Sequence, residues 1–468
     1  MGPEQLRGSA VGVSCDLRAF SSSDGNTLGA TFRLGVTNDS WRALTPYRGD
    51  ATLNHRVPTW EGAFGGPLVK QRLFYFGAAM GARNEQSRTL PYTRRSYAYG
   101  DAERKFEIKA TWTPSTAQTL KAVYFRVDSS RTNVNAGTVM DVASLYDNAS
   151  PESLTGVSYN AVVRQRWLFE AAYSRRRLTF SGSGSRDASL SGGTPIWDRS
   201  RSDARFNSPT GCAVCPGAED ARNNQDLSAR LSFNLAVRLP GTTEILTGVD
   251  LFQESRATNT YQSGSGFRVR ATTSIVSGEQ VRPVFLPDRT TWIYWQPILQ
   301  GSTGNDLRTS SAFVSDTWRP SSRVTVKAGL RFDLNDDRDS LRRPAVHDAA
   351  WSPRLSVAWD PSGQARWLLP AGWARYLTSI TSTVADAASP GGRPATYVYD
   401  YLGPAVNADA TKAPTSSSDA LRILFDWFLG GQGVKRATRS SPSIPGVNVL
   451  MDPGLGPLDT REIMGALT

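Results

Sequence analysis

A strict alternation of polar and apolar side chains constrains this chain more than any other feature of its sequence. From Asp226 onward every second position becomes apolar, at Leu231, Phe233, Leu235, Val237 and Leu239, with Arg230, Ser232, Asn234 and Arg238 between them. The turn Pro240-Gly241-Thr242-Thr243 follows, after which Ile245, Val249 and Leu251 resume the pattern. Because a period of two places all apolar side chains on one face of a strand, the segment predicts an antiparallel hairpin.

Hairpins of the same kind recur along the chain. Five more are predicted, with turns at 66–71, 114–117, 164–165, 319–322 and 360–364. The links between hairpins, such as 181–225, 257–308 and 378–460, are long and are predicted to be loops, the last of them with a short helix. Short turns on one rim and long loops on the other are typical of outer-membrane barrels, whereas a sandwich or propeller has more even spacing. We therefore predict an all-β fold, an incomplete antiparallel transmembrane β-barrel of roughly fourteen strands.

The composition agrees with a sheet that has one apolar face and one polar, water-exposed face. Mean hydropathy is −0.37 and 39% of residues are hydrophobic, yet aromatic residues reach 10% and include 13 Trp. No run of 18 apolar residues is present, so no transmembrane helix is predicted. Several aromatic residues lie near predicted strand ends, where they would form an interfacial girdle or reflect ordinary β-propensity: Trp60, Trp112, Trp167, Trp318, Trp359, Trp373 and Tyr376.

Three stretches resemble the TonB-dependent outer-membrane receptors of the Oar-like type. Residues Gly65–Gly77 (GGPLVKQRLFYFG) are similar to a hairpin of that family. Residues Phe313–Trp318 with Val324–Asp333 resemble its "F-x-x-D-x-W…L-T-L-x-x-G-L-R-Y-D" hairpin, and Trp351–Pro361 resembles its "F-S-P-R-L-G-x-x-(W/Y)-D-P" strand. The resemblance covers about residues 28–377, and weaker matches at 399–404 and 443–453 extend it.

The resemblance implies a barrel in the cell outer membrane, closed by an N-terminal plug, that takes up a solute with energy supplied by the TonB complex. Its partners would be outer-membrane lipid, the TonB complex through the plug region, and a small solute whose identity stays open. The chain lacks a signal peptide, a TonB-interacting box, room for a plug and a terminal aromatic residue. It is therefore expected to be an internal fragment, the barrel portion of such a receptor.

The expected organisation has four parts. Residues 1–27 are irregular and would be the end of a plug, 28–377 form the barrel hairpins with long external loops, 378–460 form a long loop, and 461–468 begin a further strand. Within the long loop, Ser418-Asp419 can cap a short helix at about 419–429, whose Leu421, Leu424, Phe425 and Phe428 share a face before Gly430-Gly431 ends it.

Alternation also assigns faces within the barrel. Arg230, Asn234, Lys327 and Arg331 are predicted to face the lumen, where they would line the path of the solute or contact a plug. Leu231, Val326 and Leu330 would then face lipid. Because the pattern does not say which face is outermost, the reverse assignment stays open.

Little in the sequence points to chemistry. The formal net charge of +11 is dispersed over strands and loops, so nucleic acid is not an expected partner, and the two His residues leave little scope for His-based catalysis or zinc binding. We predict no enzyme activity and no cofactor. The pair Cys212 and Cys215 is predicted to form a loop disulfide, with free thiols or half a zinc site as alternatives. The acidic run 335–339 is predicted to be a solvated loop and not a Ca²⁺ site.

A soluble β-rich protein of the carbohydrate-binding or adhesion type is the alternative to the receptor. In that case the Trp residues would be stacking platforms, and both sheet faces would be accounted for without lipid. A β-propeller enzyme would require evenly spaced repeats of four strands and a ring of acids, and the sequence has neither.

Overall fold

The strands lie in one large and two small sheets. The computed structural model describes residues 13–18, 27–44, 46, 52–164, 166–235, 240–364, 366–378, 389–431, 438–449 and 458–466. The large sheet has 16 strands. In chain order they are β1 (Val13–Arg18), β2 (Gly29–Asn38), β3 (Arg56–Val69), β4 (Leu73–Thr89), β5 (Ser96–Ser115), β6 (Gln118–Val134), β7 (Tyr146–Ala149), β8 (Glu152–Val163), β9 (Trp167–Phe180), β12 (Asp220–Leu235), β13 (Thr242–Ala257), β18 (Asn305–Ser321), β19 (Val324–Arg338), β20 (Pro344–Trp359), β21 (Leu369–Thr378) and β23 (Leu458–Gly465).

The large sheet is an antiparallel meander. Each strand pairs with the next of its members along the chain, except that the short β7 pairs only with β6, beside β8. The predicted antiparallel all-β fold is therefore confirmed. Strands β1 and β23 lie at its two ends, and within the described residues they do not pair with each other.

The predicted hairpins appear with the expected faces. In the β12–β13 hairpin Leu231 lies opposite Thr247 and Phe233 opposite Ile245, while Val237 and Leu239 lie outside the described residues. The predicted turn at 66–71 is wrong at its start, because Gly66 and Pro67 pair with Tyr75 and Phe74 inside the β3–β4 ladder. A shift of register follows Pro67, and such an irregularity accommodates a residue that has no N–H to donate.

One face of the large sheet carries an exposed apolar belt. Along one row the paired residues are Leu231, Thr247, Val314, Leu330 and Pro353. On β20, Trp351 and Trp359 on this face are 53% and 48% exposed, and Leu355 between them is 52% exposed. Trp351 and Trp359 are eight residue steps apart, which is about 26 Å along the strand at roughly 3.3 Å per residue. On β20 the belt is thus an apolar segment of defined length with Trp at both ends.

The long links between the hairpins are folded, and they contain short strands that the sequence did not predict. Five short strands form a second sheet in the order β11-β10-β14-β17-β22. They are β10 (Ile196–Asp198), β11 (Ala204–Phe206), β14 (Phe267–Ala271), β17 (Trp292–Trp295) and β22 (Tyr397–Asp400). A hairpin of β15 (Thr273–Ser277) and β16 (Gln280–Val284) and a helix α1 (Ser417–Leu429) accompany this sheet. Short 3-10 turns occupy Asp39–Trp41, Val142–Ser144 and Arg199–Arg201. We call the second sheet, this hairpin and α1 the loop globule.

The loop globule has a dry core. One cross-strand row of the second sheet is buried from edge to edge, and it consists of Phe206, Ile196, Val269, Ile293 and Tyr399. The buried face of α1 packs on this side, with the Phe428 ring 5.0 Å from that of Tyr399 and the Phe425 ring 5.1 Å from that of Phe267. Sequence analysis identified single strands poorly here because three-residue strands carry too few alternations to be recognised.

The N-cap of α1 differs from the one expected. The side chain of Ser416, not Ser418, accepts the hydrogen bond from the backbone N–H of Asp419, at 3.1 Å. None of the helices in the described part of the chain is long and apolar enough to span a membrane.

Candidate functional site

The polar face of the large sheet holds a cavity on strands β12, β13 and β18 to β21. Arg230, Gly248, Phe313 and Arg331 pair in one row and therefore share this face, opposite to the apolar belt. A Cβ added to Gly248 would lie 2.8 Å from the Phe313 ring, so glycine lets that ring lie flat over the strand. The cavity has a volume of about 490 Å³, and its polar lining includes Arg230, Asp250, Arg331, Asp333, Ser352 and Arg354.

Arg331 is the centre of the hydrogen bonding in the cavity. Its Nε donates to Asp333 Oδ1 at 2.8 Å, its Nη2 donates to Ser311 Oγ at 2.7 Å, and Asp250 Oδ2 is 3.5 Å away. These contacts hold the guanidinium in one orientation, because each of its bonds is charge-assisted or anchored on a buried partner. Arg354 lies over the Tyr376 ring at 4.7 Å, so Tyr376 belongs to this polar cavity and its assignment to an interfacial girdle is wrong.

The four residues predicted to face the lumen share one face. Arg230 and Arg331 both line the cavity. Asn234 and Lys327 lie in another row, Asn234-Glu244-Thr317-Lys327, which is closer to the short turns. Both of these side chains are exposed, and the structure does not bring them into the cavity.

The second sheet carries a different cluster on the face opposite to its dry core. Arg205, Trp197, Arg268 and Tyr294 stack in that order, with guanidinium-to-ring distances of 4.7, 3.9 and 4.1 Å. Sequence analysis missed these residues because four short strands from two separate links bring them together. The only local signal was the frequency of Arg and aromatic residues in segments predicted to be loops.

A parallel stack beside it is neutralised. Arg270 and Arg439 lie 4.6 and 4.1 Å from the Trp292 ring. Arg270 pairs with Asp203 at 2.6 Å and Arg439 with Asp400 at 2.7 Å. Arg270 and Arg439 therefore each have their own carboxylate, which is not true of Arg205 and Arg268 among the described residues.

Buried acids elsewhere in the loop globule serve its structure. The carboxylate of Asp198 is fully buried, which opposes its ionisation, but hydrogen bonds from Ser200 and Ser274 and the ion pair with Arg201 hold its pKa below the usual value. Burial raises the pKa of Tyr401 to about 12, and its hydroxyl donates to the Pro404 carbonyl. The Asp198 carboxylate and the Tyr401 hydroxyl therefore both make internal hydrogen bonds that stabilise the fold.

The two other chemical features from the sequence have structural positions. Cys212 and Cys215 form a disulfide, with Cα atoms 5.7 Å apart, in the link between β11 and β12. The acidic run 335–339 is not a solvated loop, because Asn335, Asp337 and Asp339 are buried where β19 ends. Asp339 accepts hydrogen bonds from Arg343, so the run closes the β19–β20 connection. The described residues contain no group of His, Cys, Asp and Glu arranged to hold a metal ion.

Comparison with known proteins gives similarity to solved structures only. No protein-family model matches the chain, and no curated protein matches it. The outer membrane transporter YddB from Escherichia coli is 12% identical, with 81% of this chain and 50% of that chain covered and a TM-score of 0.48. The siderophore receptor PirA from Acinetobacter baumannii is 12% identical over 80% of this chain and 49% of that chain, with a TM-score of 0.44. The ferric enterobactin receptor PfeA from Pseudomonas aeruginosa (mutant Q482A) is 13% identical over 81% and 51%, with a TM-score of 0.45. The chain spans about half the length of these proteins.

Proposed function

We propose that this chain is the barrel portion of a TonB-dependent outer-membrane receptor that takes up a solute across the outer membrane. One observation carries the membrane part of the proposal. The apolar side chains of the large sheet form an exposed belt that extends about 26 Å along β20 between Trp351 and Trp359. For strands tilted by about 35–45° this corresponds to a height of roughly 20 Å, comparable to the apolar band of about 25 Å, flanked by aromatic residues, on outer-membrane barrels. An apolar belt of this size in water would be an aggregation site, because soluble monomers rarely expose large contiguous apolar patches.

The connections of the sheet support the same orientation. Strands β3–β4, β5–β6, β8–β9, β12–β13, β18–β19 and β20–β21 are joined on one rim by short turns. The loop globule is built from the links β9–β12, β13–β18 and β21–β23 on the other rim. In outer-membrane barrels the short turns face the periplasm and the long loops face the outside, which supports the proposal that the globule lies where a solute would first arrive.

The polar cavity supplies a surface for the solute or a plug on the inner face. Arg230 and Arg331 line it, and we propose that Asn234 and Lys327 continue the same polar surface toward the periplasmic rim. Energy coupling through TonB rests on the resemblance of residues 65–77, 313–333 and 351–361 to the Oar-like hairpins. The solute itself is not identified by these residues.

Cell fractionation of the full-length native protein tests the proposal. We expect recovery in the outer membrane, and faster migration of the unboiled than of the boiled sample on a gel, because a folded barrel resists unfolding by detergent. Recovery as a soluble monomer without detergent would contradict it and would favour the soluble carbohydrate-binding or adhesion-type alternative. A matched sample carrying Leu330→Arg in the belt serves as the assembly-defective control.

A further inference from the structure

The Arg205-Trp197-Arg268-Tyr294 stack leaves positive charge without a counter-ion. Among the described residues neither Arg205 nor Arg268 has a carboxylate within ion-pair distance, and Arg205 Nη1 donates to the Ala136 carbonyl instead. Both guanidiniums are partly buried, and burial lowers the pKa of each, although arginine remains charged. Charges withdrawn from water without a partner are costly, so a stack like this is most stable when an anion completes it.

The donors of the stack are also incomplete. The indole Nε1 of Trp197 and the Nε of Arg268 are buried and have no hydrogen-bond partner in the described part of the structure. They belong to neighbouring members of one stack, whose guanidinium lies 3.9 Å from the indole ring. Buried donors without partners are uncommon and require a reason, and an absent acceptor is one such reason.

Stacking engages the faces of a guanidinium, whereas its N–H groups lie at its edge and need acceptors of their own. Arg268 lies 3.9 Å from the Trp197 ring and 4.1 Å from the Tyr294 ring, and its Nε is buried without a hydrogen-bond partner. The planar fork of a guanidinium matches two oxygens of a carboxylate or phosphate. The neighbouring Trp292 stack contrasts with it, because its two nearer guanidiniums, those of Arg270 and Arg439, are already paired with Asp203 and Asp400.

We propose that Arg205, Trp197 and Arg268 form an anion site on the loop globule that binds a carboxylate or phosphate group of the captured solute. The site adds to the proposed function, because it predicts that the solute carries an acidic group. Only the statement that the solute is captured outside the cell rests on the proposed function. The ligand is expected to be negatively charged because the two guanidiniums have no carboxylate partner. It is expected to bind through oxygen atoms because the buried N–H groups need acceptors. Binding requires no transport, so the two proposals can fail separately.

Titration of the purified full chain in detergent micelles tests the site. Inorganic phosphate and succinate are the probes, binding is followed by calorimetry, and chloride at equal ionic strength is the control. We expect saturable binding at one site that weakens at least about tenfold in Arg268→Gln and in Arg205→Gln, because each variant removes a charge-assisted hydrogen bond. Arg422→Gln removes the same charge from an exposed position of α1, and it should leave binding unchanged.

One variant should change the affinity in the opposite direction. Asp203 pairs with Arg270 and lies near Arg205 and Arg268, whose charges it partly offsets. Asp203→Asn should therefore tighten binding of the probes severalfold. Asp203 has a left-handed backbone conformation, with φ of 60°, and asparagine tolerates this conformation, so the substitution should not strain the backbone.

Each outcome decides the proposal. Binding of phosphate alone, of succinate alone or of both supports it and identifies the acidic group. No saturable binding at about 10 mM probe, or equal affinity in Arg268→Gln and Arg422→Gln, overturns it. Hydrogen exchange in the second sheet verifies that each variant keeps the loop globule folded, and the gel mobility of unboiled samples verifies that the barrel is intact. A soluble protein that still binds the probes would overturn the receptor function but not the site.

Discussion

The large sheet and the loop globule belong to one chain, yet they bury their apolar side chains in opposite ways. In the large sheet the apolar face is exposed, and Trp351, Leu355 and Trp359 are each about half accessible. In the loop globule Phe206, Ile293 and Leu421 are completely buried between the second sheet and α1. The globule buries its apolar groups internally, as proteins in water do, whereas the apolar face of the large sheet is left exposed. This difference is what the proposed contact of the large sheet with lipid would require.

The contrast predicts the largest effect for a truncation inside the globule. Phe425→Ala should destabilise the loop globule by about 3–5 kcal/mol, because it removes a buried ring and leaves a cavity against Phe267. Hydrogen exchange in the second sheet should accelerate, while the gel mobility of the unboiled barrel stays the same. Ile423→Ala, at a position of α1 that is 37% exposed, is the control and should have a small effect. Equal loss of both sheets in Phe425→Ala would show that the two regions are not independent.

The second prediction concerns the exposed belt. Leu355→Arg should cost about 2–4 kcal/mol in a lipid bilayer, because Leu355 lies midway between Trp351 and Trp359 and the variant places a charge at mid-height of the belt. Leu246→Arg is the matched control, since Leu246 lies in the adjacent row but on the polar face, where it lines the cavity. Urea unfolding in lipid vesicles measures both. If Leu246→Arg is the more damaging variant, the faces are inverted and the belt is not in contact with lipid.

The third prediction uses pH to separate the two regions. The pKa of Asp198 is lowered in the folded state, so its contacts stabilise the globule above a pH of about 4, the ordinary Asp value, and this stability is lost as pH falls through the folded pKa. Asp198→Asn should cost about 1–3 kcal/mol near neutral pH and should weaken the pH dependence below 4. Limited proteolysis of the globule between pH 3 and 7 reports both effects. Asp426→Asn, on the exposed side of α1, is the control, and an identical acid sensitivity of the two variants would argue against this role of Asp198.

The same contrast explains what the sequence predicted and what it did not. The hairpins β8–β9 and β18–β19 followed from alternation, because long strands repeat the pattern many times, although the exact residue pairs across each hairpin did not. The second sheet was missed because its strands come from three separate links and one of its pairs, Ile196 with Val269, is parallel. No local pattern records a pairing between distant segments.

The two candidate sites also differ in how far the sequence predicted them. Arg230 and Arg331 were placed on one face by counting residues along two strands, and the structure brings them into one cavity. Trp197, Arg205 and Arg268 could not be grouped from the sequence, since their stack depends on the order β11-β10-β14 of the second sheet. Periodicity therefore identifies residues that share a strand face, whereas sites that are assembled from loops require the tertiary structure.

The smallest expected effect tests how α1 is anchored to the globule. Ser416 is the N-cap, and its hydroxyl accepts from the Asp419 N–H at 3.1 Å while the Asp419 carboxylate accepts from that hydroxyl at 2.8 Å. Ser416→Ala should cost about 1 kcal/mol of globule stability, because a helix N–H loses its partner. Ser418→Ala, at the position that the sequence alone favoured as the cap, should cost much less. Hydrogen exchange at the first turn of α1 distinguishes them. A larger effect of Ser418→Ala would move the start of the helix by two residues and would alter the face that α1 presents to the dry core.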